Sequence, residues 1–85
     1  MSAKVKAPVR PLYEICNEIR KDWRPMPNYA KAHFEAIEHA TSIDEMYGWD
    51  SVKSEVCYFL SSASTWKGDV ARRIKIELKA LVGLK

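Results

Sequence analysis

Apolar residues recur along this chain at helical spacing. Leu12, Ile15, Cys16, Ile19 and Trp23 fall at i, i+3, i+4, i+7 and i+11, with Glu14, Glu18, Arg20 and Lys21 outside the stripe, which predicts an amphipathic helix over 12–23. Pro11 suits its first position and Pro25 its stop. Asn28 to Ala40 reads as a second helix, with Ala30, Phe34, Ile37 and Ala40 or Thr41 inward; its small alanines would let a neighbour approach closely. Val52, Val56, Phe59, Leu60 and Ala63 form a third stripe, capped by Asp50 or Ser51. Val70, Ile74, Leu78 and Leu81 form the last, with Gly83 as its stop.

The connections carry their own signals. Arg24-Pro25-Met26-Pro27 reads as a rigid extended link. Ser42-Ile43-Asp44-Glu45 has the form of a capping box and predicts a short helical turn, Ile43 to Tyr47, ended by Gly48. Ser64 or Thr65 is expected to cap the final helix, and Trp66 to pack over its entrance. Gly68 then falls in the first turn of that helix, where it costs about 1 kcal/mol against alanine. Close approach of a backbone, or of the Trp23 or Trp49 ring, would account for it; room for a partner is the other reading.

No alternating strand pattern occurs. The fold expected is all-α: a compact bundle of four main helices plus one short helical turn. The core expected is Leu12, Ile15, Cys16, Ile19, Trp23, Phe34, Ile37, Val52, Val56, Phe59, Leu60, Val70, Ile74, Leu78 and Leu81. Residues 1–10 read as a disordered basic arm and residues 11–85 as a single helical domain. At 85 residues the chain has room for one domain.

Composition narrows the chemistry. Two cysteines are too few for a disulfide framework, and Cys16 and Cys57 are expected as buried, reduced thiols. No apolar run reaches the roughly 18 residues of a membrane span, and MSAKVKAPVRP lacks the apolar stretch of a signal peptide. The expectation is a soluble protein of the cytoplasm with no membrane partner. His33 and His39 lie six apart, which is not the i, i+4 spacing of a zinc pair. Glu14, Glu18, Glu35 and Glu38 read as solvated helix faces. Gly68 stands alone with no preceding strand, so there is no phosphate-binding loop. The sequence therefore predicts no catalytic residues, no metal and no cofactor, and a protein that is not an enzyme.

Charge is the remaining signal. The net charge is +3, but it is segregated. Asp44, Glu45, Asp50 and Glu55 face only Lys53, whereas from Val56 onward six bases oppose two acids. On a helical wheel Arg72, Lys75 and Lys79 share one outer face of the last helix. Arg73 and Ile76 stand beside them, and Ile76 is the one apolar residue on that side. Arg72, Arg73, Lys75, Ile76 and Lys79 are the candidate partner-binding residues. Such a surface suits a protein contact centred on Ile76. It also suits phosphate contacts from a helix-turn-helix, although no Asn or Gln is present on the helix to read adenine.

LYEICNEIRKDW at 12–23 and YGWDSVKSEVCYFLSSASTWKGDVARRIKIELK at 47–79 together resemble a group of short helical proteins encoded by bacteriophages and prophages. These share a first helix ending in Trp, a Tyr-Gly turn, and a Ser-Thr-Trp-(Lys/Arg)-Gly run that falls here on Ser64 to Gly68. Residues 24–45 depart from that pattern. The group has no assigned activity. The resemblance implies a phage-type accessory protein that works in the host cytoplasm by binding a host or phage protein. The alternative is a small DNA-binding regulator that uses the basic last helix and the N-terminal arm.

Overall fold

A computed structural model describes residues 10–83. The elements run α1 (Leu12–Asp22), α2 (Asn28–Ile37), β1 (Met46–Tyr47), β2 (Asp50–Ser51), α3 (Val52–Ser62) and α4 (Asp69–Val82). The fold is mostly α, as the stripes predict. Leu12, Ile15, Cys16 and Ile19 of α1 are buried, as are Phe34 and Ile37 of α2, Val52, Val56 and Phe59 of α3, and Ile74 and Leu78 of α4. Trp23, Leu60, Val70 and Leu81 pack against this core but stay partly exposed. Ala30, Ala36, Ala40, Ala63 and Ala71 are also buried, as are Trp66 and Val82.

α1 has no side-chain cap; its N-cap is Pro11. Leu12 N–H instead donates to Thr41 O at 3.0 Å and Tyr13 N–H to Ala40 O at 2.9 Å. The open N–H groups of one helix thus meet carbonyls of the chain just leaving another. Ser51 caps α3 by accepting from Ser54 N–H at 3.0 Å, one of the two residues anticipated for that role.

Three local expectations are corrected. Ile43–Tyr47 is not helical. Half of the capping box forms: Glu45 Oε2 accepts from Ser42 N–H at 3.1 Å and from Thr41 N–H at 2.9 Å, but Ser42 Oγ accepts from Asp44 N–H at 3.2 Å and Glu45 N–H donates to Ser42 O. Beyond them the chain extends into an antiparallel hairpin pairing Met46 with Ser51 and Tyr47 with Asp50. Gly48, at φ 63°, opens its two-residue turn, a conformation that serves a hairpin as well as a helix stop. Secondly, α4 begins at Asp69, so neither Ser64 nor Thr65 caps it; Gly68 is its N-cap. Thirdly, a Cβ placed on Gly68 would meet nothing within 4 Å. Close packing does not explain this glycine. Its backbone does, at φ 111° and ψ 178°, a region essentially reserved for glycine.

Residues 1–9, most of the expected basic arm, lie outside the described residues. Arg10 is described, and it belongs to the domain. Its guanidinium makes two bonds to Glu77 of α4, at 2.8 and 3.0 Å, and an ion pair with Glu18 of α1 at 2.8 Å.

Candidate functional site

The outer side of α4 holds all five residues singled out from the sequence, and the structure divides them. Arg73 reaches across to Glu18 of α1 at 3.0 Å. Arg10, Glu18, Arg73 and Glu77 thus alternate in sign along the α1–α4 seam. Glu18 is not the solvated-face residue that its spacing suggests: bonds from Arg73 and Arg10 hold its carboxyl below the usual carboxylate range. Hydrogen bonding to the same carboxylates holds the Arg10 guanidinium above its ordinary value.

Arg73 makes its ion pair at the surface, whereas Lys75 is partly buried. Its Nζ donates to Trp66 O at 2.7 Å and stands 5.9 Å from the centroid of the Trp66 ring. Desolvation, followed by the neighbouring charges of Lys67 and Lys79, lowers its pKa. The ammonium thus satisfies a carbonyl of the α3–α4 connection, three residues before α4 begins, and clasps the loop from the side.

That loop is organised by Trp66, which is 3% exposed. Its ring stacks on Trp23 with centroids 5.5 Å apart and planes 7° from parallel. Its Nε1–H donates to Asp22 Oδ2 at 2.8 Å. Trp23 in turn meets Phe59 edge-on at 6.1 Å. Thr65 shares a 2.9 Å hydrogen bond with the Tyr29 hydroxyl. The Ser-Thr-Trp-Lys-Gly run is therefore the corner that binds α4 to the ends of α1 and α2.

What remains outward on α4 is a stripe at i, i+4 and i+7. Arg72 is exposed and touches only Asp69 at 3.4 Å. Ile76 is 63% exposed, and Lys79 is exposed. The basic face of five residues is thus a narrower surface of one apolar residue between two cations.

The buried titratable groups are satisfied within the fold. Glu55 is 8% exposed and pairs with His33 Nδ1 at 2.9 Å, an arrangement that satisfies a buried carboxylate. The Tyr58 ring lies 5.4 Å from His33. Cys16 is buried, donates weakly to Ile37 O at 3.8 Å, and has its thiol pushed up to about 12 by burial. Cys57 is only partly buried, contrary to expectation. Both thiols are free. Among the described residues no group of three or more His, Cys, Asp or Glu side chains is arranged to hold a metal ion. No described helix is long and apolar enough to cross a membrane.

Two features escaped the sequence reading. The hairpin leaves Met46, Tyr47 and Trp49 exposed, and Trp49 at 99% has almost no intramolecular contact. A cleft of about 300 Å³ opens between the end of α1 and α2, lined by Trp23, Met26, Phe34, Arg24, Lys31 and Glu35 among others. An anchor signal was available at Trp49. It lies off every helical stripe and beside a turn glycine, where a large aromatic has no core to enter.

No family model, curated protein or solved structure matches this chain.

Proposed function

We propose that this protein is a non-catalytic accessory protein that acts by binding another protein, with Arg72, Ile76 and Lys79 of α4 as the contact. One observation carries the reading: Ile76 stands 63% exposed between two outward cations on a helix whose other cations, Arg73 and Lys75, are engaged inside the molecule. An apolar centre with a charged rim is the usual anatomy of a protein contact. The partner that fits is acidic around an apolar pocket. A phage-type setting in a host cytoplasm rests on the resemblance of residues 12–23 and 47–79 alone.

The test compares the parent with Ile76→Asp and Arg72→Glu/Lys79→Glu in capture from host and phage lysates. The expected result is a protein retained by the parent, lost with Ile76→Asp and weakened by the charge reversal. If both variants capture the same set as the parent, this surface is not the contact. Binding to duplex DNA that falls steeply with salt would instead support the regulator reading, because phosphate contacts release counterions.

A further inference from the structure

The hairpin and the α1–α2 cleft are not used by the α4 surface, and they fit each other. The hairpin is a knob: Trp49 at its tip is 99% exposed, with Met46 and Tyr47 beside it. Its setting is acidic. Asp44 and Asp50 are exposed and have no ion-pair partner among the described residues. The cleft is a socket. Its apolar wall is Trp23, Met26 and the edge of the buried Phe34; Arg20 and Glu38 in the lining pair with each other at 2.7 Å, which leaves Arg24 and Lys31 against the single acid Glu35, all three exposed and without an ion-pair partner among the described residues. Its volume of about 300 Å³ equals about ten waters, room for one indole.

Knob and socket are also neighbours. Glu35 of α2 lines the socket on one side and, on the other, the groove that runs under Met46 and Tyr47. A knob and a socket on one face of a molecule satisfy each other twice across a two-fold axis, which closes the assembly. We propose that the partner of this face is a second copy of the chain, with Trp49 of each copy seated against Trp23 and Met26 of the other, the two apolar residues of the socket that stay partly exposed. The acidic hairpin then meets Arg24 and Lys31, whose cations also lie within reach of the indole face. Each indole removes about 150–250 Å² from water. Two indoles alone fall short of the about 1,000 Å² expected of a specific interface, so Met46 and Tyr47 must be covered as well and the dimer is a weak, exchanging one.

The experiment is sedimentation equilibrium of the full chain from 5 to about 500 µM, a range spanning the micromolar affinities of small interfaces. It is run on the parent, on Trp49→Ser, on Arg24→Glu/Lys31→Glu, and on an equimolar mixture of the two variants. All the altered residues are exposed, so each variant folds; circular dichroism checks this. The expected result is a reversible parent dimer weakened at least tenfold in either variant. In the mixture one intact knob meets one intact socket, so the mixture associates more tightly than either variant alone. A parent that stays monomeric throughout overturns the proposal. So does a dimer indifferent to Trp49→Ser, or a mixture no tighter than its components. None of these outcomes bears on Ile76, whose variants test the α4 surface separately.

Discussion

The indole of Trp66 lies flat on that of Trp23, with ring centroids 5.5 Å apart. The two belong to different parts of the chain: one follows the last residue of α1, the other the end of α3. Stacking them, with the Trp66 N–H on Asp22, fixes where α4 starts. Trp66→Ala is expected to cost about 3–5 kcal/mol, the range for removing a buried large aromatic. Chemical denaturation measures it; a midpoint equal to the parent's would mean the stack carries no weight in the fold.

Lys75 and Lys79 are alike on a helical wheel and opposite in the fold. Lys75→Glu removes the donor from Trp66 O and sets a carboxylate against it, an expected loss of about 1–3 kcal/mol. Lys79→Glu changes an exposed charge and is expected to stay within about 0.5 kcal/mol of the parent. Lys75→Met keeps the apolar stem and should fall between them. Equal thermal midpoints for all three variants would show that the clasp on the loop does not hold in solution.

Gly68→Ala forces a side chain into a conformation that L residues rarely adopt, φ 111°. The space around it is open, so the whole cost is backbone strain, of order 1–3 kcal/mol. Gly68→D-Ala, made by chemical synthesis, has the mirror preference and should recover most of it. If the L and D forms unfold at the same denaturant concentration, strain is not the reason for the glycine.

Stability should fall at both ends of the pH scale, for separate reasons. The folded-state pKa of Glu18 is depressed. Its contribution is therefore present above the unfolded carboxyl value of about 4.3 and is lost as pH drops through the folded value. Both partners of the pair are partly exposed, so the loss is small and screened by salt. Cys16 is the reverse case, an acid whose pKa is raised to about 12 by burial. Its contribution is complete below the unfolded thiol value of about 8.5 and declines above it by up to about 1.4 kcal/mol per pH unit. Glu18→Gln should flatten the acid limb of a plot of melting temperature against pH, and Cys16→Ala the alkaline limb. An alkaline limb unchanged in Cys16→Ala would place its origin elsewhere.

The helices were legible because their apolar stripes answer to one core, and the buried residues of α1 are those of its stripe. What was not legible depended on partners far away in sequence. Arg10 and Glu77, 67 residues apart, carry no spacing signal, and neither does Lys75 turning back to a loop carbonyl. Ser64-Thr65 has the chemistry of a cap, yet α4 begins at Asp69, five residues after Ser64, with Gly68 as its N-cap and no side-chain cap. Glu45 accepts from Ser42 N–H as in a capping box and the chain still enters a hairpin, since such a bond satisfies an N–H group whether or not a helix follows. Within the candidate surface, exposure of Ile76 and Lys79 could be read from the wheel. The withdrawal of Arg73 and Lys75 could not, because both were claimed by residues outside the helix.

The carbonyls of Ala40 and Thr41 that receive the first N–H groups of α1 make the start of that helix depend on the chain that leaves α2. A helix of 11 residues is too short to persist alone in water. Its own start signals are Pro11 and Glu14 in the first turn. The N–H groups of Leu12 and Tyr13 are met by carbonyls of residues 40–41, which follow α2 in the chain. A peptide spanning 10–27 should therefore be largely coil, and should become helical only when 28–83 is supplied. The first helix along the chain thus borrows the satisfaction of its first N–H groups from residues that come after the second.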